Sequence, residues 1–389
     1  MKLLLYENSA GFSSYTYKLC NSLKSENSCY DITYLTQRDN KEISGLEENI
    51  TLMASLLPYD NSHKNSLRWL INRVMVSIKN IKTRNAEVKN GSYDVVSIQA
   101  TIPIFDQFYI KAMRKYAKVV YTAHDVVPPI KSFYYSQRSL GKIYRLADQI
   151  IVHSQQNKEQ MADMFHIDKK KINVVFHGTE RKYKKYEMNA CREKFGISKD
   201  KTIFLFYGLI REQKGLADLI EAMRDMQNSQ LVIAGAVPFG ESFEKYQKLI
   251  DECSIDCKKF IQYIPNEWED ELFQACDIVC LPYRYFYSQS GVFMQCIQYR
   301  KPVVISDVSS FGEYLSKYKI GVLTKPNNIS DLHQKMLTLQ RTINKSTEPF
   351  MDELERAAID NSWESSAKKH WSIFEGEHKG EYNSRHQGE

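Results

Sequence analysis

From Tyr283 to Val304 the chain runs YRYFYSQSGVFMQCIQYRKPVV. Ser288, Gln289, Ser290 and Gly291 form a polar loop. Val292 to Tyr299 has helical character. Lys301-Pro302 turns the chain into a short apolar strand, Val303-Val304-Ile305. Just upstream, Asp277 to Leu281 is another apolar strand, closed by Pro282. The unit is strand, loop, helix, strand. Such a unit places its loop at the carboxyl edge of a parallel sheet, where the helix start offers unpaired N–H groups. Ligands of open parallel sheets bind at that edge.

The same grammar recurs outward from this stretch. Thr202 to Tyr207 is an apolar strand, followed by Gly208-Leu209-Ile210-Arg211-Glu212-Gln213-Lys214-Gly215 and a helix from Leu216 to about Met226. Arg211 and Lys214 stand at the mouth of that helix, where a diphosphate gains two charge-assisted contacts and the helix N-terminus. The alternative is a solvated turn. Gln230 to Ala234 and Phe260 to Tyr263 are further strands, and Glu267 to Ala275 is a helix. Its carboxylates, Glu267, Glu269, Asp270 and Glu271, read as a solvated first turn that offsets the helix dipole. No D-x-D follows an apolar strand, and no metal site is expected. Ser330 is the expected cap of a helix to Leu339.

The first half opens with Lys2 to Tyr6 as a strand, a loop with Gly11, a helix from Ser13 to Leu23 and a strand from Tyr30 to Leu35. This is the β-loop-α-β start of a dinucleotide-type sheet. It lacks G-x-G-x-x-G, which speaks against a nicotinamide or flavin enzyme. Asp94 to Gln99 is a central strand, and a helix from about Phe105 to Tyr116 crosses to the strand Lys118–Thr122. That strand ends in Thr122-Ala123-His124-Asp125, so His124 falls at a strand's carboxyl end, where ligand-facing residues sit. The alternative for His124 is a local backbone contact at a turn. Lys64 to Arg84 reads as a helix whose Leu67, Ile71, Val74, Ile78 and Ile81 share a face. The preferred reading packs that face on the sheet and leaves a solvated basic face. The competing reading is a membrane-surface helix.

At 389 residues the chain suits two domains. The eight cysteines fit free thiols of a reducing compartment. No apolar run reaches the roughly 20 residues needed to cross a bilayer, and the start reads as a first strand rather than a signal peptide, so a cytoplasmic location is expected. Residues 1 to 185 hold 28 Lys and Arg against 17 Asp and Glu, whereas the remainder holds 25 against 30. A basic first half suits an anionic partner such as a membrane surface, or simple solubility. Nucleic acid is not expected, because no aromatic-basic motif accompanies the charge.

Taken in order, these segments resemble the retaining glycosyltransferases of family 4, glycosyl transferases group 1. The resemblance implies an α/β protein of the GT-B fold, with two Rossmann-like doubly wound domains facing an interdomain cleft. It implies an acceptor domain over residues 1–183, a nucleotide-sugar donor domain over 184–360, and a last helix at 363–375 packing back on the first domain. A disordered tail at 376–389 follows. By the same resemblance, His124, Arg211 and Lys214 carry catalysis: His124 reaches the donor sugar, and Arg211 and Lys214 hold the diphosphate. Gly11, Gly208, Tyr287, Ser290, Gly291, Val292 and Gln295 fall on donor-binding positions. The family usually has glutamates where this chain has Tyr287 and Gln295, and a glycine where it has Arg300. Gln295 accepts one hydrogen bond and donates others, in place of a carboxylate that accepts two.

What the resemblance implies is a metal-independent, hexosyltransferase-like enzyme without a cofactor, its co-substrate a nucleotide-sugar. The acceptor is a glycan or lipid-linked intermediate of bacterial surface polysaccharide. Peripheral contact with the inner face of the membrane runs through the basic half. The alternative is a GT-B scaffold without catalysis that binds a partner glycosyltransferase or a glycan.

Overall fold

The computed structural model describes residues 1–8, 13–59, 66–127, 136–238, 240–286 and 290–376, with only the backbone of 41 and 42. The chain divides into two units, Met1–Gly178 with Trp363–Glu389, and Thr179–Ser362. Each is built on an all-parallel sheet flanked by helices.

In the first unit the strands are β1 (Lys2–Glu7), β2 (Asp31–Gln37), β3 (Thr51–Leu56), β4 (Val95–Ala100), β5 (Lys118–Thr122), β6 (Gln149–Val152) and β7 (Ile172–Val174). Their order is β3-β2-β1-β4-β5-β6-β7. Leu3, Leu4, Leu5 and Tyr6 are wholly buried, as a central strand covered on both faces requires. Leu4 and Tyr6 join one core layer with Val96, Ile98 and Ile150. Leu3 and Leu5 join the other, with Leu19, Leu23, Trp363, Trp371 and Phe374. The last helix, Trp363–Glu375, packs on the first, Ser13–Glu26. Trp371 donates its indole N–H to the Leu23 carbonyl at 3.0 Å. Lys118 Nζ donates to the carbonyls of Ile373 and Gly376, each at 2.8 Å. A cation thus closes the helix end where carbonyls lack partners and the dipole is negative.

In the second unit the strands are β8 (Thr202–Tyr207), β9 (Ser229–Ala234), β10 (Cys257–Phe260), β11 (Ile278–Leu281), β12 (Val303–Ser306) and β13 (Gly321–Thr324), in the order β10-β9-β8-β11-β12-β13. The connections after β8 and β11 therefore leave the sheet on opposite sides of a switch point, where a crevice opens beyond the strand ends.

Several elements depart from the sequence reading. The strand expected at Phe260–Tyr263 is Cys257–Phe260, because Phe260 pairs with Ala234 at the end of β9. The helix expected from Phe105 to Tyr116 is two short ones, Pro103–Asp106 and Ile110–Met113. Asp106 turns inward there, accepting from the Ile102 N–H at 2.7 Å and ion-pairing with the buried Arg84. The helix expected from Ser330 to Leu339 is Ile329–Ile343, and Asn328, not Ser330, caps it, accepting from the Asp331 N–H at 2.9 Å. The helix after Gly215 is short, Leu216–Ala222.

The largest departure is in the helix Leu67–Asn90. Its buried residues are Val76, Ser77, Asn80, Ile81, Arg84 and Val88, while Leu67, Ile71 and Ile78 are exposed. Polar bonding sets this rotation. Asn80 pairs with the Leu57 backbone at 2.8 and 2.9 Å and reaches Asn8, and Arg84 is held by Asp106 and lies over the Tyr6 ring. Leaving those groups without partners in the interior costs more than exposing a few aliphatic side chains. Among the described residues no helix is long and apolar enough to cross a membrane.

Candidate functional site

The switch point of the second sheet brings two loops into contact. Arg284 donates its backbone N–H to the Gln213 carbonyl at 2.9 Å. Its guanidinium grips Asp218 through two bonds, of 2.9 and 2.7 Å, in the bidentate geometry that gives arginine its rigidity. Gly215, at φ +70°, lies so close that a Cβ would stand 1.9 Å from the Pro282 carbonyl oxygen. No other residue fits there. Gly208, at φ +101°, follows β8, and a Cβ on it would meet Val292 Cγ2 at 3.3 Å. The loop after β8 is therefore seated on both ends of the loop after β11.

Lys214 sits inside this junction. Its Nζ is 3.7 Å from the centroid of the Tyr283 ring and 4.4 Å from that of Phe286. Ring faces attract a cation, but burial between them disfavours its charged form. Burial, helped by the nearby Arg211 charge, pulls the Lys214 ammonium down to about 7. The same Tyr283 hydroxyl is 3.1 Å from Ser290 Oγ. Ser290 caps the helix Gly291–Gln298, accepting from the Phe293 N–H at 3.3 Å. The first amides of that helix, at Gly291 and Val292, have no partner within it. A Cβ on Gly291 would point into open space. Gln295 lies one turn further, half-buried, and among the described residues no group hydrogen-bonds its side chain.

Of the expected donor-side residues, the structure thus gathers Gly208, Lys214, Ser290, Gly291 and Val292, with Arg211 exposed at the rim and Gln295 close behind. Gly11 and Tyr287 lie outside the described residues. A lysine and a helix N-terminus around one opening suit an anion with several oxygens, such as a diphosphate. The aromatic box of Tyr283 and Phe286 is invisible to motif reading, although both residues lie within the decisive stretch.

The acidic helix behaves differently from its reading as a solvated turn. Glu269 accepts from the Tyr207 hydroxyl at 3.1 Å and from the Tyr299 hydroxyl at 3.2 Å, and Asp270 accepts from Tyr299 at 2.6 Å. Glu271 pairs with Lys194 at 2.5 Å. These carboxylates fasten the helix to its neighbours. Among the described residues no group of three His, Cys, Asp or Glu is placed to hold a metal ion.

Arg300 has φ +56°, the left-handed conformation that a glycine at this turn adopts without strain. Here the side chain compensates, donating to the Arg181 carbonyl at 3.1 Å, the Ile297 carbonyl at 3.2 Å and Glu355 at 2.8 Å.

In the first unit, His124 follows β5, as the sequence indicates. Two more histidines join it, because the neighbouring strands β6 and β7 also end in one, His153 and His177. His153 Nε2 is 3.1 Å from His124 Nδ1, and His153 Nδ1 is 2.8 Å from the Val175 carbonyl. Tyr15 packs edge-on to His124, with ring centroids 4.8 Å apart, and lies 4.9 Å from His177. Burial and the mutual repulsion of the imidazoles hold His124 well below its usual range. Burial is the main cause for the others: His153 falls to about 4, His177 to about 3 and His370 to about 4. At neutral pH the cluster is uncharged, offering hydrogen bonds rather than charge. The signal for His153 and His177 was present in the sequence, as a histidine just past each of three adjacent strands.

Comparison with known proteins gives a consistent result. Residues 187–347 match the family model Glycosyl transferases group 1, and residues 10–182 match Glycosyltransferase Family 4. A processive diacylglycerol alpha-glucosyltransferase of Acholeplasma laidlawii is 26% identical over 268 residues, 64% of this chain and 77% of that protein. An uncharacterized glycosyltransferase of Methanocaldococcus jannaschii is 25% identical over 192 residues, 46% of this chain and 47% of that one. A D-inositol 3-phosphate glycosyltransferase of Mycolicibacterium smegmatis is 25% identical over 48% of this chain and 43% of its own. For the last two, the match spans less than half of the relative's length. Among solved structures, the Anabaena protein HepE in complex with UDP and glucose superposes with a TM-score of 0.71 at 17% identity, over 96% of this chain and 99% of that one. The sucrose-phosphate synthase of Thermosynechococcus elongatus does so at 0.72 and 17%, over 96% and 98%.

Proposed function

Because the chain belongs to the family 4-like glycosyltransferases of the GT-B fold, we propose that it transfers a sugar from a nucleotide-sugar to an acceptor hydroxyl. The observation that carries this reading is the junction of Lys214, the aromatic pair and the Ser290-capped helix at the switch point of the second sheet. In the reaction the bond from the anomeric carbon to the diphosphate breaks, a bond from that carbon to the acceptor oxygen forms, negative charge grows on the departing diphosphate, and the proton of the acceptor hydroxyl passes to that leaving group. Lys214, Arg211 and the amides of Gly291 and Val292 stabilise that charge. Gly208 keeps the loop short enough for close approach, and Gln295 bonds the ribose hydroxyls. His124, uncharged, bonds the donor sugar, and Gly11 leaves room beside the substrate, while Tyr287 stands where the family's sugar-contacting glutamate would be. Retention of configuration and independence of metal complete the proposal. So does a glycan acceptor carried on a lipid, as in surface polysaccharide assembly, with the protein working at the periphery of the membrane.

The test is donor binding and turnover across a panel of nucleotide-sugars, followed by thermal shift. Lys214→Ala should weaken nucleoside-diphosphate binding about 10- to 100-fold, as expected for one charged hydrogen bond, and leave nucleoside binding unchanged. Equal loss of both ligands would remove Lys214 from the diphosphate. The second reading, a non-catalytic scaffold, is favoured by one observation: Gln295 is uncharged where the family has a carboxylate. It would be supported if no donor binds and Gln295→Glu restores none.

A further inference from the structure

The hydrogen bonds among the histidines past β5, β6 and β7 can run in one direction only. A carbonyl oxygen accepts and never donates, so the 2.8 Å contact of His153 Nδ1 with the Val175 carbonyl puts a proton on that nitrogen. His153 is wholly buried, which disfavours a second proton and leaves its Nε2 as a lone pair. That lone pair stands 3.1 Å from His124 Nδ1, which must therefore carry a proton. The other imidazoles of the cluster have no proton to give instead. His177 spends its Nδ1 proton on the Gly178 carbonyl at 2.9 Å, and His370 spends its own on the Ser366 carbonyl at 2.8 Å. Tyr15, edge-on at 4.8 Å, braces the His124 ring in this orientation. With Nδ1 protonated and the ring uncharged, Nε2 of His124 is an acceptor.

We propose that His153 is a positioning residue that fixes His124 in the tautomer whose Nε2 accepts, so that the protein selects a donor sugar presenting a hydroxyl to that nitrogen. A hydroxyl gives its proton to the lone pair. A carboxylate or a carbonyl in the same place sets oxygen lone pairs against a nitrogen lone pair. The sugar is therefore hydroxylated at that position, and not a uronate or a keto sugar. His124 Nε2 is shielded from bulk water, and low local dielectric sharpens the difference. A neutral imidazole without such a partner can carry its proton on either nitrogen, so His124 alone would not discriminate in this way. His153 acts through His124 and need not meet the sugar itself. The inference rests on the reading of His124 as a contact of the donor sugar, and adds to that contact its direction.

The deciding experiment is nitrogen NMR of the full chain, without ligand and at neutral pH, with isotope-labelled histidine. The ring signals lost in His124→Gln identify His124 among the nine histidines. The expected spectrum shows Nδ1 protonated and Nε2 unprotonated at His124. His153→Gln offers an amide N–H to the Val175 carbonyl and an oxygen to His124, so it should retain that spectrum. His153→Phe, or His153→Leu if the first does not fold, accepts nothing, so the His124 proton should shift toward Nε2. A protonated Nε2 in the wild-type chain overturns the proposal, as does a His124 spectrum that His153→Phe leaves unchanged. For the sugar, the nucleotide-sugar turned over fastest is remade with fluorine in place of each hydroxyl in turn, because fluorine cannot donate. At one position kcat/KM should fall about 10-fold or more in wild type and His153→Gln, and much less in His153→Phe. No such position, or an equal fall in all three proteins, overturns the selection. If no nucleotide-sugar is turned over, the transferase reading falls and the selection with it, while the spectra still decide the pairing of the two histidines.

Discussion

Lys214 is held between two demands. Its rings attract the ammonium, and its burial repels it. With the ammonium at about 7, roughly half of the lysine is neutral near pH 7 in the empty protein. In the proposed role of Lys214, a bound diphosphate would restore the charged form. Binding therefore takes up a proton, and affinity for a nucleoside diphosphate should fall as pH rises above about 7, by up to tenfold per unit. Titration calorimetry between pH 6 and 9 checks the sign through the proton uptake. A flat profile over that range, with Lys214→Ala equally flat, would mean the lysine keeps its charge throughout. Arg300 teaches a complementary lesson. The family's glycine has a backbone reason, visible as φ +56°, and in its place the guanidinium of this arginine is tied to four neighbours, Glu355, Ile297, Gln298 and Arg181. Substitution at that site was legible in the sequence, but its compensation was not, since it depends on the Arg181 carbonyl and the Glu355 carboxylate, both far along the chain.

At the scale of elements, strand ends were easier to read than helix faces. Apolar runs bounded by Gly, Pro or His marked β4, β5, β8 and β11, because a strand buried on both faces leaves no choice of orientation. The helix Leu67–Asn90 had a choice. Its apolar period suggested one buried face, and hydrogen bonding by Asn80 and Arg84 selected another. The short helices around Asp106 escaped for the same reason, a buried ion pair with a partner 22 residues away. The histidine cluster carries the prediction at this scale. His153 has a folded value near 4 against an ordinary 6.5, so the unfolded chain binds more protons between those limits. Stability of the first unit is fully present above about pH 6.5 and is lost as pH falls toward 4, by on the order of 3 kcal/mol from His153 alone. Urea unfolding followed by the fluorescence of Trp363 and Trp371 should show its midpoint dropping across that window. His153→Gln should flatten the drop.

For the molecule as a whole, repetition made the fold legible. Two halves each open with strand, loop, helix, and each builds a parallel sheet whose order reverses beside its first strand. The order of short motifs along nearly the whole chain located the candidate donor site, although no single motif was long. What the sequence withheld is the set of contacts that depend on loop conformation: the aromatic box around Lys214, the tyrosines tied to Glu269, and the meeting of three histidines from successive strands.

The first unit is interrupted, its final helix supplied by residues 363–375 after the whole second unit has been made. A chain growing from the ribosome cannot complete its opening half until its closing segment emerges, so the layer containing Leu19 and Leu23 stays bare throughout synthesis of the intervening residues. A nascent chain stalled before Trp363 should therefore be cleaved readily by protease within residues 1–178, and become resistant once a C-terminal extension long enough to span the exit tunnel lets residues 363–375 emerge. Equal resistance at both stall points would mean that the sheet is sealed without its late-arriving cover. Until then, this half depends for its safety on whatever shields exposed apolar surface in the cell.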